Sequence, residues 1–338
     1  MKRYLLVFFL SLLTLLPSCA SAPSTPPDWA GPAQNVTAVY PAEKFIAQKG
    51  TGADPNAAQV NALAAISRYF ESEVESRVSS VQVITQQNGT DEAYLKVEES
   101  GLIQSAVNLF ALRQSETWFN KTENQWETVA YIDRDEAWTI YEPRLTQKTA
   151  PFMTAFRRAE TEGDPLRQFV SFSALQDSEL LTMLDFALVL HPRKAQAFDD
   201  VRSAYAECRN KAEAAKRKVI LAVICTGDYE NTVYNALASS FSGHGFALAR
   251  NQGEATHRCQ AVVTENEQKM QAGTFFTPTI TVTLSGKDGV IFTYNKGITR
   301  TGANDPAVAK RRAYIALGKA LQETFWDTLV QDTTKVQK

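Results

Sequence analysis

The chain has 338 residues, is 44% hydrophobic and carries a net charge of −2 at pH 7. Domains usually contain about 100 to 200 residues, so this length predicts two domains, with enough apolar residues for a core in each. The slightly acidic balance argues against nucleic acid or an anionic lipid surface as a partner, because both attract basic proteins.

The first 18 residues have the pattern of a secretory signal peptide. Lys2 and Arg3 precede an uncharged apolar run of 13 residues from Tyr4 to Leu16. A membrane-spanning helix needs about 20 apolar residues, so this run does not predict a transmembrane segment. No later stretch is long and apolar enough to span a bilayer, and we expect the rest of the chain to be soluble and to lie outside the cytoplasm.

The leader ends in Leu16-Pro17-Ser18-Cys19, which resembles the lipobox of bacterial lipoproteins. The resemblance implies that residues 1–18 are removed and that Cys19 becomes an acylated amino terminus, with enough acyl chains for a stable anchor. Ala20 rather than Asp follows this cysteine, which by the same resemblance favours the outer membrane. The alternative is an ordinary signal peptide that is cut after Ala20 or Ala22, with Cys19 incidental.

Residues 19–37 are rich in proline, serine and alanine and predict an extended tether. Residues 38–145 predict a first α+β domain. It opens with a strand over Phe45–Gln48, and Asp54 and Pro55 then start a long amphipathic helix.

The rest of the first domain alternates as strands. Residues 79–90 predict a strand that ends on the turn Asn88-Gly89, and residues 105–132 predict a hairpin. Asp133 is the expected cap of a second helix. This order predicts helices that cover one face of an antiparallel sheet.

Residues 146–217 show helical periodicity without strand alternation and predict a helical connector. Residues 218–332 predict a second α/β domain. An apolar strand up to Cys225, a helix from near Asp228 and a second strand form a βαβ unit with parallel strands. A three-strand meander follows, and Asp305-Pro306 opens the closing helix.

Gly50-Thr51-Gly52 lies between a strand and a helix, as the glycines of a phosphate-binding loop do. A dinucleotide fingerprint needs a third glycine where this chain has Pro55, which has no amide hydrogen to donate to an anion. A related pattern recurs at Thr301–Pro306, again before an Ala-rich helix. We interpret both as glycine turns with Asp-Pro helix caps, and we predict that the protein binds no nucleotide and no other cofactor.

The chain has four cysteines, of which three stay as thiols if Cys19 carries lipid. Cys225 ends a predicted strand and faces a helix start, where a thiol pKa is lowered, so one hypothesis is a cysteine nucleophile. A buried structural cysteine, or a disulfide between Cys225 and Cys259, is the preferred interpretation. The three histidines match no metal-binding spacing, and no metal site is predicted.

Phe275 and Phe276 lie in the sequence GTFFTPT, which we predict to be an exposed hairpin connection. Two exposed aromatic rings favour a contact with a partner protein. The alternative is that both rings fold back onto the core.

Residues 38–145 resemble the twenty-kilodalton lipoprotein family of spirochaetes and epsilon-proteobacteria. The resemblance rests on Tyr40-Pro41, on the strand with Gly50-x-Gly52, on the Ala-rich helix up to Phe70 and on VAYIDRDEA at 129–137. Residues from about 216 to 332 resemble, in element order, the small α/β domain shared by the amino-terminal part of TolB, the lipoprotein activators of penicillin-binding proteins and the periplasmic flagellar protein FlgT. These resemblances imply an envelope protein that binds other proteins and has no catalytic activity.

The sequence therefore predicts a non-catalytic outer-membrane lipoprotein, held by its lipid and facing the periplasm, that binds an unidentified envelope protein. One alternative is a surface-exposed adhesin or antigen. A second is a cysteine-dependent enzyme.

Overall fold

The computed structural model describes residues 25–82 and 112–335. The chain divides into two compact units. Unit 1 comprises Met1–Pro143 with Asp185–Ala195, and unit 2 comprises Arg144–Leu184 with Gln196–Lys338. Each unit packs helices on a sheet, so the predicted α+β class is confirmed.

Unit 1 is built around a central strand. In chain order its elements are α1 (Ala33–Val39), β1 (Phe45–Gly52), α2 (Pro55–Gln82), β2 (Arg113–Gln114), β3 (Trp118–Asn120), β4 (Gln125–Asp133) and the start of α3 (Arg134–Thr161). Strands β1, β2 and β3 all pair with β4 in antiparallel fashion. Asp133 caps α3 as predicted, since its Oδ1 accepts from the backbone N–H groups of Asp135 (3.0 Å) and Glu136 (3.1 Å).

Helix α2 covers one face of this sheet. Its start is as predicted, because Asp54 Oδ1 accepts from the backbone N–H of Ala57 at 2.8 Å. The expected tight turn at Gly50 and Gly52 is wrong, since both residues lie within β1. A Cβ on Gly50 would lie 2.3 Å from the carbonyl oxygen of Ala58, so this glycine allows the strand and the helix to pack closely.

The described part of α2 extends further than the sequence pattern indicates. Residues 79–82 are helical and not the start of a strand. The remainder of that predicted strand, its Asn88-Gly89 turn and the first part of the predicted hairpin lie outside the described residues.

The other face of the sheet is covered by residues 25–40, which we call the N-terminal segment. Trp29 is 4% exposed and packs in a cluster with Ala30, Val36 and Val129 of β4. The second half of the predicted tether is therefore not an extended linker. Although its proline-rich composition is typical of an extended linker, burial of its tryptophan and valine side chains lowers the free energy and holds the segment on the sheet.

Four helices follow α3, and they occupy the region predicted as a helical connector: α4 (Pro165–Ala174), α5 (Ser178–Leu190), the short α6 (Pro192–Ala195) and α7 (Asp199–Lys216). Helices α3 and α5 contribute residues to both compact units. The boundaries of the connector at 146 and 217 stay predictions.

The sheet of unit 2 has six described strands. Its elements are β5 (Ile220–Thr226), α8 (Thr232–Gly243), β6 (Ala247–Leu248), β7 (His257–Met270), β8 (Gly273–Gly286), β9 (Gly289–Gly297), β10 (Thr301–Ala303) and α9 (Pro306–Lys335). The predicted parallel βαβ unit of β5, α8 and β6 and the predicted meander of β7, β8 and β9 are both confirmed. Strand β5 also pairs in parallel with β7.

The first half of β7 buries only one face. Along β7, His257, Cys259, Ala261 and Val263 are buried, whereas the residues between them are exposed. Helix α9 buries Leu317, Leu321, Phe325 and Leu329, which follow one another at a spacing of four residues on one helix face. Among the described residues, no helix combines the length and the apolar character that crossing a bilayer requires.

Candidate binding groove

Asn120 shapes the hairpin of β3 and β4. Its Oδ1 accepts from the backbone N–H groups of Thr122 (3.0 Å) and Glu123 (3.2 Å), and its Nδ2 donates to Oε1 of Glu127 (2.9 Å). Asn124 in the same turn has φ of 51°, a left-handed conformation that asparagine tolerates better than most residues. One buried amide therefore fixes both the turn and the carboxylate of Glu127.

Glu127 forms a buried ion pair with Lys49. Nζ of Lys49 lies 2.7 Å from Oε2 of Glu127, and the two side chains are 24% and 1% exposed. Lys49 pairs in register with Val129, and Glu127 with Thr51, so both charged side chains project from the same face of the sheet. Within the described residues, Oε2 accepts no well-formed hydrogen bond. The ammonium charge is therefore what compensates the buried carboxylate.

Lys49 also joins the N-terminal segment to the sheet. Its Nζ donates to the carbonyl oxygen of Gly31 at 3.1 Å. Gly31 has φ of 98°, which glycine adopts readily. The chain thus turns directly above the ion pair, between the buried Trp29 and helix α1.

A groove of about 640 Å³ opens where the N-terminal segment meets the β3–β4 hairpin. Its lining includes Pro26, Pro32, Trp118, Thr122, Lys49 and Glu127. The charges of Lys49 and Glu127 neutralise each other, the proline and indole side chains are apolar, and the exposed Glu123 adds a negative charge to the lining. The groove is therefore suited to an uncharged extended segment better than to an anion.

A second cavity of unit 1, of about 470 Å³, is lined by charged residues that hold the fold. Arg134 donates through Nε to the carbonyl oxygen of Ala42 (2.8 Å) and through Nη1 to those of Val189 and Leu190 (2.6 Å each). The last two carbonyls end helix α5, where a cation is favourable. The guanidinium group is thus used for structure and is not directed at a ligand.

Cys225 and Cys259 have the environment of structural thiols. Cys19 lies outside the described residues. Cys225 and Cys259 lie on the paired strands β5 and β7, and both are thiols here. Burial, followed by the charge of Asp228, raises the pKa of Cys225 to about 12, so the thiolate needed by a nucleophile is disfavoured. The disulfide between Cys225 and Cys259 stays a prediction.

Phe275 and Phe276 lie inside β8 and not in a hairpin connection. Phe276 is 4% exposed and packs against Ala309 and Ala313 of α9, so the expectation of exposure is wrong for this ring. Phe275 is half-buried, with the Arg300 guanidinium 4.8 Å from its ring centroid. Strand alternation separates the two rings, and a partner contact through Phe275 stays a prediction.

The sequence interpretation missed the residues of the groove. One signal was present, since Glu127 shares its strand face with the apolar Val129 and Tyr131. A charge on that face implies a buried partner, but nothing local identifies Lys49 as that partner. Within residues 25–82 and 112–335, no group of three or more His, Cys, Asp or Glu side chains is placed to hold a metal ion.

Comparison with known proteins gives weak similarities. No family model and no curated protein matches the chain. A minor lipoprotein from Acinetobacter baumannii aligns over 31% of this chain and 87% of its own, with 12% identity and a TM-score of 0.25. A secreted protein from Helicobacter pylori covers 83% of this chain and 98% of its own, with 12% identity and a TM-score of 0.32. A Xanthomonas campestris protein of the DUF330 family covers 36% and 88%, with 13% identity and a TM-score of 0.25. Similarities at these TM-scores carry no functional argument.

Proposed function

We propose that the protein is a non-catalytic, lipid-anchored binding module of the bacterial envelope and that its groove takes up an uncharged segment of a partner protein. The observation that supports this most is the place of the groove, whose lining begins at Pro26, seven residues after Cys19. An extended chain spans at most about 3.6 Å per residue. A lipid on Cys19 would therefore hold the start of the groove within about 25 Å of the membrane surface.

A rigid groove lowers the entropic cost of binding an extended segment. The buried pair of Lys49 and Glu127 gives this groove a fixed floor, and the Asn120 amide fixes the adjacent turn. The apolar surface of Trp118 and the two prolines supplies area for contact. This chemistry fits a binding module, and the raised pKa of Cys225 disfavours the cysteine enzyme.

The anchor is tested by Cys19→Ser in the full chain, expressed in a diderm bacterium. We expect the variant to lose incorporation of labelled palmitate and to leave the membrane fraction. A variant that stays in the membrane fraction would overturn the anchor. Protease treatment of intact cells tests the orientation: degradation without permeabilisation would show a surface protein, the adhesin alternative.

The groove is tested by a photo-cross-linking amino acid at Thr122. Val60, which lies on α2 and is 54% exposed, is the matched control position in unit 1. We expect a discrete cross-linked envelope protein from position 122, none from position 60, and loss of the product when Trp118→Arg blocks the groove. Equal products from both positions, or a product that survives Trp118→Arg, would contradict the groove as the binding site.

A further inference from the structure

Strand β7 has a free edge along its second half. Its first half pairs with β5 up to Val262, and its whole length pairs with β8. From Thr264 to Met270 no described strand pairs with the side that β5 has left, and all seven residues are exposed. An exposed strand edge of this length presents unpaired N–H and C=O groups to another strand.

The direction of these groups follows from Pro278. This residue lies opposite Glu265, and its carbonyl accepts from the backbone N–H of Ile298 on the far side of β8. Pro278 also has no N–H, so Glu265 and Pro278 form a non-hydrogen-bonded pair. The backbone groups of Glu265 therefore point towards the open edge, and by alternation so do those of Glu267 and Lys269.

In one register of antiparallel pairing between two copies, opposite charges face each other along this edge and like charges do not. If two β7 edges pair antiparallel about a twofold axis through Gln268, each Glu267 lies directly opposite a Lys269. A shift of the axis to 267 forms two pairs of Glu265 with Lys269 but places Glu267 opposite Glu267, and Glu265 already forms an ion pair with Lys310 of its own chain at 2.8 Å. A shift to 269 places Lys269 opposite Lys269. Opposite charges that face each other across strands stabilise a pair, and like charges destabilise it.

We propose that the free edge of β7 is a homodimer interface in which two copies pair about Gln268 and form one continuous sheet. The outward backbone groups of Glu267 and Lys269 then form hydrogen-bonded pairs, and Gln268 faces Gln268 as a non-hydrogen-bonded pair. The side chains of Glu267 and Lys269 are 43% and 77% exposed, and within one chain their charged atoms lie 3.6 Å apart. Each can therefore exchange this ion pair for the one with the opposite residue of the second copy. The interface is independent of the groove.

The register is tested by disulfide formation in the full-length chain. Cα atoms in a non-hydrogen-bonded antiparallel pair are about 4.5 Å apart, within the range of a disulfide, so Gln268→Cys should give a covalent dimer on mild oxidation. Asn266→Cys is the matched control. It lies on the same strand face and is also exposed, but it should lie about 14 Å from its own copy, at about 3.4 Å per residue, and stay monomeric. Equal cross-linking at both positions, or none at 268, would overturn the proposal.

Charge exchange provides the second test, in the Gln268→Cys background. Glu267→Lys and Lys269→Glu should each reduce the dimer several-fold, because each makes both cross-strand pairs repulsive. A mixture of the two variants should recover the dimer as a heterodimer, since every lysine then faces a glutamate. The double variant Glu267→Lys/Lys269→Glu should also recover it. If either single variant dimerises like the parent, or if the mixture stays monomeric, the pairing about Gln268 is wrong.

Discussion

The sheets of the two units bury their strands in different ways. In unit 1 the neighbouring residues Thr128, Val129 and Ala130 of β4 are each 0% exposed, because α2 covers one face and the N-terminal segment the other. In unit 2 the first half of β7 alternates between buried and exposed residues. A charged side chain on either face of β4 must therefore be compensated by a partner inside the protein. Charged side chains on the exposed face of β7 remain in water.

A related sequence device has different tertiary surroundings in the two units. Thr51–Pro55 and Thr301–Pro306 both end a strand and open a long helix. A Cβ on Gly50 would meet the backbone of α2, whereas a Cβ on Gly302 would meet the ring of Phe275 at 2.3 Å. The local pattern thus determines the strand, the cap and the helix. The tertiary contacts determine which neighbouring group leaves no room for a side chain at each glycine.

The largest effect should come from the buried charge of unit 1. Lys49→Met leaves Glu127 buried without a counter-charge, which should lower the free energy of unfolding by about 3 to 5 kcal/mol. The double variant Lys49→Met/Glu127→Leu should recover most of this loss. In unit 2 the exposed pair of Lys319 and Glu323 should matter little, and Lys319→Met should change stability by less than about 1 kcal/mol. Urea unfolding measures all three, and equal losses for the two lysines would contradict the difference in burial.

Substitution of the two glycines comes next in size. Gly50→Ala should destabilise by about 1 to 3 kcal/mol, because its Cβ would lie 2.2 Å from the backbone nitrogen of Ala62 and the helix must move. Gly302→Ala should cost less, because the half-buried side chain of Phe275 can shift away. Thermal unfolding of the two variants compares them. A larger loss of stability for Gly302→Ala than for Gly50→Ala would show that the contact of Gly302 with Phe275 is the less tolerant of the two.

The two helix caps should give equal and smaller losses. Oδ1 of Asp54 and Oδ1 of Asp305 each accept from a backbone N–H at 2.8 Å. Asp54→Ala and Asp305→Ala should each cost about 1 kcal/mol in chemical denaturation, and the corresponding asparagine variants, which keep the acceptor, should cost less. Clearly unequal losses would mean that the two caps are not equivalent.

The smallest effect should be on how the stability of unit 2 depends on pH. Burial tends to raise the pKa of Asp164, but the hydrogen bond from His257 and those from the backbone of α4 outweigh it, and the net pKa is lowered. A carboxyl whose pKa is lower in the folded state stabilises above its unfolded pKa of about 3.9, and this contribution is lost as the pH falls through the folded value. Unfolding midpoints measured from pH 6 downwards should therefore fall below about pH 4, and Asp164→Asn should flatten this fall. An unchanged acid profile in the variant would assign the dependence to another group.

The sequence by itself determined the features that depend on near neighbours. The α+β class, the cap of α2 at Asp54, the cap of α3 at Asp133 and the succession of β5 to β9 along the chain follow from periodicity and capping, which act over a few residues. The tertiary structure decided what the distant residues do. Lys49 and Glu127 are 78 positions apart, and only the register of β1 against β4 brings their charges together. The burial of Trp29 and Phe276 and the open edge of β7 likewise depend on which surfaces pack together, which no local pattern specifies.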